Sequence, residues 1–146
     1  MAEMRSLLVE LRPEALLNTR LETLLAQLVD TAKVRKQMDI ALKINLGARH
    51  PLPPDVHIAF YRIAQEALTN IIKHTDATEV VIELNELPRR ADLSISDNGA
   101  GFNPRAVVSG IGLASMRERA EGVSARLRVV SHRGNGTRVA VTWQRP

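Results

Sequence analysis

The sequence predicts an α+β fold, a two-layer α/β sandwich whose mixed, mainly antiparallel sheet is covered by helices on one face. Three observations carry this. Helix-like and strand-like segments alternate in the order α-α-β-α-β-β-α-β-β over 146 residues. The last four strands form two pairs with hairpin-length connections, which fits antiparallel pairing. The two long helices each carry an apolar stripe suited to lying on a sheet. The length is that of one domain, which buries roughly 70% of its unfolded surface.

The elements follow in order. Residues 1–17 start as a weak helix with Leu7, Leu8 and Leu11 on one face, interrupted by Pro13. Thr19 and Glu22 have capping-box spacing, and a strong helix follows to about Gln37 on the stripe Leu21, Leu24, Leu25, Leu28, Val29 and Ala32. The period then changes to two. Ile40, Leu42, Ile44 and Leu46 alternate with polar or small neighbours, a half-buried strand. A loop with three prolines at 47–54 leads to a second long helix over about 55–74. Strands follow at about 79–84 and 91–96, joined by a turn at 85–88. A glycine-rich connection spans 97–112, and a short helix covers about 113–121. The last strands, 126–131 and 137–143, flank the hairpin signal Arg133-Gly134-Asn135-Gly136.

Composition narrows the function classes. There is no cysteine, which removes disulfides, thiolate zinc sites and a thiol nucleophile. No apolar run approaches the roughly 18 residues that cross a bilayer, and no signal-peptide pattern opens the chain. The net charge is +4, but the basic residues are scattered and aromatics are 3% of the chain, so base-stacking platforms for nucleic acid are missing. The expectation is no nucleic-acid partner and no direct membrane contact.

Two short motifs carry the chemistry. Glu66-Ala67-Leu68-Thr69-Asn70 lies inside the second long helix. Val56, Phe60, Ile63, Ala64, Ala67 and Ile71 share its apolar face. Glu66, Asn70 and Lys73 cluster on the flank of that face, and a carboxylate and an amide one turn apart can serve a metal ion. Asn70 should be partly buried, where an unmet amide costs about 1–3 kcal/mol. His74 falls on the apolar side at the helix end, where it suits the negative end of the helix dipole. The second motif is Asp97-Asn98-Gly99-Ala100-Gly101-Phe102, after an alternating strand. Leu93 and Ile95 point to the core, and Asp97 should point the same way and need a donor, such as an adenine amino group. Gly99 and Gly101 permit positive φ and close backbone approach. Gly110-Ile111-Gly112-Leu113 opens the short helix, whose amides can meet phosphate. It completes neither a dinucleotide fingerprint nor a Walker loop. Taken singly, an Asp-Asn-Gly turn, a Glu–Asn pair on a helix and a Gly-x-Gly are ordinary structural features. Together they read as an ATP–magnesium site.

In order and context these motifs resemble the ATP-binding catalytic domain of bacterial sensor histidine kinases. The resemblance runs over about residues 40–144 and rests on three stretches, 63–74, 97–102 and 110–120, with Gly136-Thr137. Gln65-Glu66-Ala67-Leu68-Thr69-Asn70 and Met116-Arg117-Glu118-Arg119 are similar to the subfamily that signals to response regulators with LuxR-type DNA-binding domains. The superfamily, shared with gyrase and mismatch-repair ATPases, has the Bergerat fold. The resemblance implies that Asn70 ligates the Mg2+ that bridges the ATP phosphates, with Glu66 beside it as the catalytic residue, orienting water or assisting proton movement. It implies Lys73 on phosphate oxygens and His74 among the nucleotide-binding residues. Asp97 would accept from the adenine amino group, Gly99 would let the base approach, Gly101 would shape the same turn, and Thr137 would reach the adenine, directly or through water. Gly110, Ile111, Gly112 and Leu113 would form the hinges and phosphate-facing backbone of a lid.

The family's phosphate-accepting histidine stands in an upstream helix next to an acidic residue. The four histidines here, His50, His57, His74 and His132, lack that context. The chain therefore reads as a catalytic part. Residues 1–38 resemble the end of the dimerisation helices and their connection, and 39–146 the ATP-binding catalytic domain. The implied partners are ATP, a histidine-bearing dimerisation domain of the same protein in a homodimer, and a LuxR-type response regulator. The implied location is cytoplasmic, with any membrane anchor of the full-length protein lying elsewhere. The competing readings are an anti-sigma-type protein-serine kinase on the same fold, and a nucleotide-dependent interaction module without phosphotransfer.

Overall fold

A computed structural model describes residues 13–47, 51–101 and 113–146. The described elements are α1 (Pro13–Leu17), α2 (Leu21–Arg35), β1 (Asp39–Asn45), α3 (Pro54–His74), β2 (Glu79–Glu86), β3 (Arg90–Asp97), α4 (Leu113–Glu121), β4 (Arg126–Ser131) and β5 (Thr137–Gln144). The sheet order is β1-β2-β3-β5-β4. Among the described strands only β1 and β2 run parallel, because α3 carries the chain back between them. The other three pairings are antiparallel. The expected two-layer, mainly antiparallel architecture is therefore the one observed.

Strand periodicity sets which face is covered. Val80, Ile82 and Leu84 of β2, Ala91, Leu93 and Ile95 of β3, and Val139, Val141 and Trp143 of β5 are buried on one side. Against them α3 places Phe60, Ile63, Ala64, Ala67, Leu68 and Ile71, all buried. At roughly 25 cal/mol per Å² of apolar surface, this continuous core is the main stabilising contribution. The α2 stripe expected from the sequence is buried throughout, and α4 adds Met116 and Ala120.

Pro13 is the first described residue of α1, so the helix expected before it and its interruption there lie outside the described residues. One local expectation is corrected. The capping box at Thr19 and Glu22 does not form. Arg20 is the N-cap of α2 and makes no side-chain cap bond. Leu21, Leu24 and Leu25 are nearly fully buried, so tertiary packing holds this helix start without a cap.

Candidate nucleotide-binding site

The last turns of α3, the end of β3, the start of β5 and the start of α4 enclose a cavity of about 500 Å³. Ala67, Asn70, Ile71 and His74 come from α3, and Thr75 and Asp76 from the connection to β2. Ile95, Asp97, Ala100 and Gly101 come from β3 and its following turn, Leu113 and Met116 from α4, and Thr137 and Val139 from β5. The walls are mainly aliphatic and carry a few polar groups, which is the composition of sites for flat organic ligands.

The sheet wall is organised around Asp97. Its Oδ1 accepts from Gly99 N–H at 2.8 Å, and the Thr137 backbone N–H also donates to its carboxylate. Burial pushes the Asp97 carboxyl above its ordinary range. The two amide donors work against that rise, and the nearby Asp76 charge adds to it. Two amides leave lone pairs of this carboxylate available, since it has about four acceptor sites. The turn after Asp97 is tightly packed. Gly101 (φ 73°) and Gly136 (φ 78°) are both left-handed. A Cβ on Gly136 would lie 2.0 Å from the Asp97 carbonyl oxygen, and one on Gly101 would lie 2.1 Å from that of His132. Gly134 N–H donates to the Ala100 carbonyl, tying the β4–β5 hairpin to the same turn. Gly99 is buried without positive φ. A Cβ there would meet Thr75 and Asp97 Oδ1 at 3.0 Å, so its smallness serves packing within the chain.

The helix wall is organised by α3. Pro54 starts it with a proline in the first turn, and Lys73 and His74 close it, complementing the helix dipole. Thr75 ends it in extended conformation, with its hydroxyl donating to the Ile71 carbonyl at 2.8 Å. Asn70 lines the cavity and is half-buried, as its helical position requires. Glu66, one turn earlier, is half-buried outside the cavity wall. Burial raises its carboxyl above the ordinary range, while Arg119 and Lys73 pull it back. Among the described residues no three acidic or histidine side chains form a metal cluster. A magnesium ion keeps several waters and binds through one or two protein oxygens plus substrate phosphates, so the single Asn70 amide oxygen fits such an ion with nucleotide.

The structure thus brings Asn70, His74, Asp97, Gly101, Leu113 and Thr137 to one cavity. Gly99 packs behind the turn, and Lys73 and Glu66 stand outside the lining. Gly110, Ile111 and Gly112 lie outside the described residues. His74 is exposed and lines the cavity, although the sequence placed it on the apolar side. The helix ends there, so no further turn covers its ring. Sequence reading missed Thr75, Asp76 and Met116. Met116 is fully buried on the α4 face that meets α3, a position its helical spacing from Ala120 could have indicated.

Residues 55–146 match the family described as histidine kinase-, DNA gyrase B-, and HSP90-like ATPases. The chain belongs to this ATPase family. It is 36% identical over 140 residues to the sensor histidine kinase LiaS of Bacillus subtilis, a match covering 95% of this chain and 38% of that protein. It is 34% identical over 140 residues to the sensor protein VraS of Staphylococcus aureus, covering 95% of this chain and 40% of that protein. It thus spans about two fifths of the length of these relatives. The histidine kinase domain of the Erythrobacter litoralis EL346 blue-light activated histidine kinase shares the fold, with a TM-score of 0.64 at 19% identity over 86% of this chain and 61% of that one. The expected α+β fold of a histidine-kinase ATPase domain is therefore the fold of this chain. Among the described residues no helix is long and apolar enough to cross a membrane.

Proposed function

We propose that this chain holds magnesium-ATP and supplies the γ-phosphoryl group to a histidine on a dimerisation domain of the same protein, for relay to a response regulator. The observation that carries the reading is a half-buried carboxylate, Asp97, with its acceptor sites only partly used, in the wall of an aliphatic cavity that Asn70 also lines. A base between aliphatic walls would donate its exocyclic amine to Asp97, with Thr137 beside it. Asn70 would hold the magnesium ion, whose charge offsets that of the phosphates. Lys73 would reach phosphate oxygens from the exposed flank of α3, and His74 would face the nucleotide from its end. In the transfer, an imidazole nitrogen attacks the γ-phosphorus and the bond to the ADP oxygen breaks. The imidazole proton leaves to an acceptor, the role we assign to Glu66. Burial raises the proton affinity of Glu66, which brings it nearer to that of the imidazole. This placement rests on residues whose main catalytic contribution is position and charge.

The same reading divides the chain into 1–38, the end of the dimerisation helices and their connection, and 39–146, the ATP-binding catalytic domain. It gives the segment at 110–112 to a lid over the phosphates and assigns the protein a cytoplasmic catalytic part. The wording of the α3 and α4 motifs supports a regulator with a LuxR-type DNA-binding domain as the partner. The test is incubation with labelled ATP and magnesium, with and without the histidine-bearing dimerisation domain. Acid-labile, base-stable label on the added domain is expected, and none on this chain alone. Label on serine of a protein substrate would favour an anti-sigma-type kinase. Nucleotide binding with no transfer to any acceptor would favour an interaction module.

A further inference from the structure

The α3–β2 connection reaches the turn that carries Asp97 at two points. Asn98 is the first. Its Oδ1 accepts from the Thr78 and Glu79 amides at 2.9 and 3.0 Å, and its Nδ2 donates to Thr78 Oγ1 at 3.0 Å. Those bonds fix the root of the turn to the start of β2. The second point is Ala100, two residues further on. Asp76 Oδ1 accepts from its N–H at 3.2 Å, across 24 positions of sequence. The carbonyl of the same residue accepts from Gly134 N–H in the β4–β5 hairpin. Ala100 is therefore where the grip from the helix side and the grip from the hairpin meet. It is exposed, so hydrogen bonds, more than side-chain packing, set its orientation.

We propose that Asp76 is a positioning residue for recognition of the nucleotide base, holding the Ala100 amide so that the turn keeps Asp97 aimed into the cavity. This inference rests on the nucleotide reading of the cavity. The Asp97 carboxylate takes its own orientation from the Gly99 amide, which lies one peptide before the amide that Asp76 holds. Rotation of the peptide between Gly99 and Ala100 would break the Asp76 bond and free the Gly99 backbone to shift, and with it the neighbouring amide that orients Asp97. Charge alone would not favour an acid at this position, since a second carboxylate near Asp97 opposes ionisation of the first. What Asp76 supplies is an acceptor oxygen at a fixed place. The residue itself lines the cavity from the connection after α3, the helix that carries Asn70 and His74. It thus ties the helix wall to the turn of the sheet wall.

The test compares Asp76→Ala and Asp76→Asn with the wild-type chain, using ADP and GDP in calorimetry and amide hydrogen exchange at Ala100 without nucleotide. Removing one charged acceptor should weaken ADP binding by about tenfold, while keeping an acceptor in Asp76→Asn should restore it to within about twofold of wild type. The preference for ADP over GDP should fall in Asp76→Ala, which a general loss of stability would not cause. Exchange at Ala100 should quicken in Asp76→Ala and stay slow in Asp76→Asn. If wild type binds ADP while both variants bind it equally well and Ala100 exchanges alike in all three, the inference fails and the nucleotide reading stands. If Asn and Ala at 76 are equally harmful, charge and not geometry is the contribution, and the inference again fails. A wild-type chain that binds neither nucleotide overturns the reading of the cavity, and this inference with it.

Discussion

The two walls of the cavity differ in how their polar groups are held. On the sheet wall, Asp97 receives two backbone amides, and glycines at 101 and 136 let neighbouring chains approach to distances that no side chain would permit. On the helix wall, Asn70 and His74 project from regular turns of α3, with Lys73 exposed beside them. The first wall is built by backbone geometry and tolerates little change. The second is a set of side chains on a rigid rod, and a change there leaves the rod in place. Recognition of a flat base needs fixed donors and acceptors, while a flexible, hydrated metal–phosphate group can be met by adjustable side chains.

The largest expected effect breaks the sheet wall. Gly136→Ala puts a methyl group 2.0 Å from the Asp97 carbonyl at φ 78°. Overpacking plus left-handed strain should cost about 3 kcal/mol or more, a fall in Tm of roughly 10 °C. Gly134→Ala is the control. It has φ 84° but no heavy atom within 4 Å of its Cβ position, so only about 1–2 kcal/mol of strain is expected. Equal melting temperatures for the two variants would show that close approach does not hold this wall.

Asp97→Asn comes next. It replaces an acceptor-only group by one that presents a donor, and should weaken ADP binding by about 2–3 kcal/mol, or roughly 30- to 150-fold, with a small change in Tm. Unchanged affinity in calorimetry would remove Asp97 from base recognition. On the helix wall, Asn70→Asp keeps the size of the side chain and adds a charge near the phosphates. Tm should move by no more than about 2 °C, since the residue is half-buried on an intact helix, while phosphotransfer to the dimerisation domain falls by about tenfold or more. Full transfer at matched magnesium would refute the ligand role.

The smallest effect is with pH, and it sharpens the contrast. The Asp97 carboxyl is raised by burial, so the folded protein holds this proton more tightly than the unfolded chain does. The ionised group therefore detracts from stability at neutral pH, and that cost fades as pH falls through the folded value. Base recognition needs the ionised acceptor, so ADP affinity should fall over the same range, at a pH above the ordinary aspartate value of about 3.9. Titrating ADP affinity downward from neutral pH checks this. An acid limb no higher than that of an ordinary aspartate would mean that burial does not govern the group.

Much of the fold was legible because periodicity reports burial directly. The end of α4 agrees with expectation, and the ends of α3, β2, β3 and β5 moved by one or two residues. Asp97 followed from period-two alternation after Leu93 and Ile95. The capping box at Thr19 failed because a local signal competes with burial of three leucines in the first turn and a half of α2. His74 was misplaced because helical phase places a side chain around an axis but does not show where covering structure stops. Asp76 carried no pattern at all. Its partner lies 24 positions away, and a lone Asp after a helix is ordinary loop chemistry.

By itself the sequence determined the element order, the apolar faces and the identity of the paired motifs, because those follow from side-chain type and local period. The tertiary structure decided which strands are neighbours, the parallel pairing of β1 with β2, and the closeness of Gly136 to Asp97. It also decided the meeting of Asp76 with Ala100. These are contacts between segments far apart in the chain. Their geometry comes from how the sheet and α3 pack together, a property that no window of residues contains.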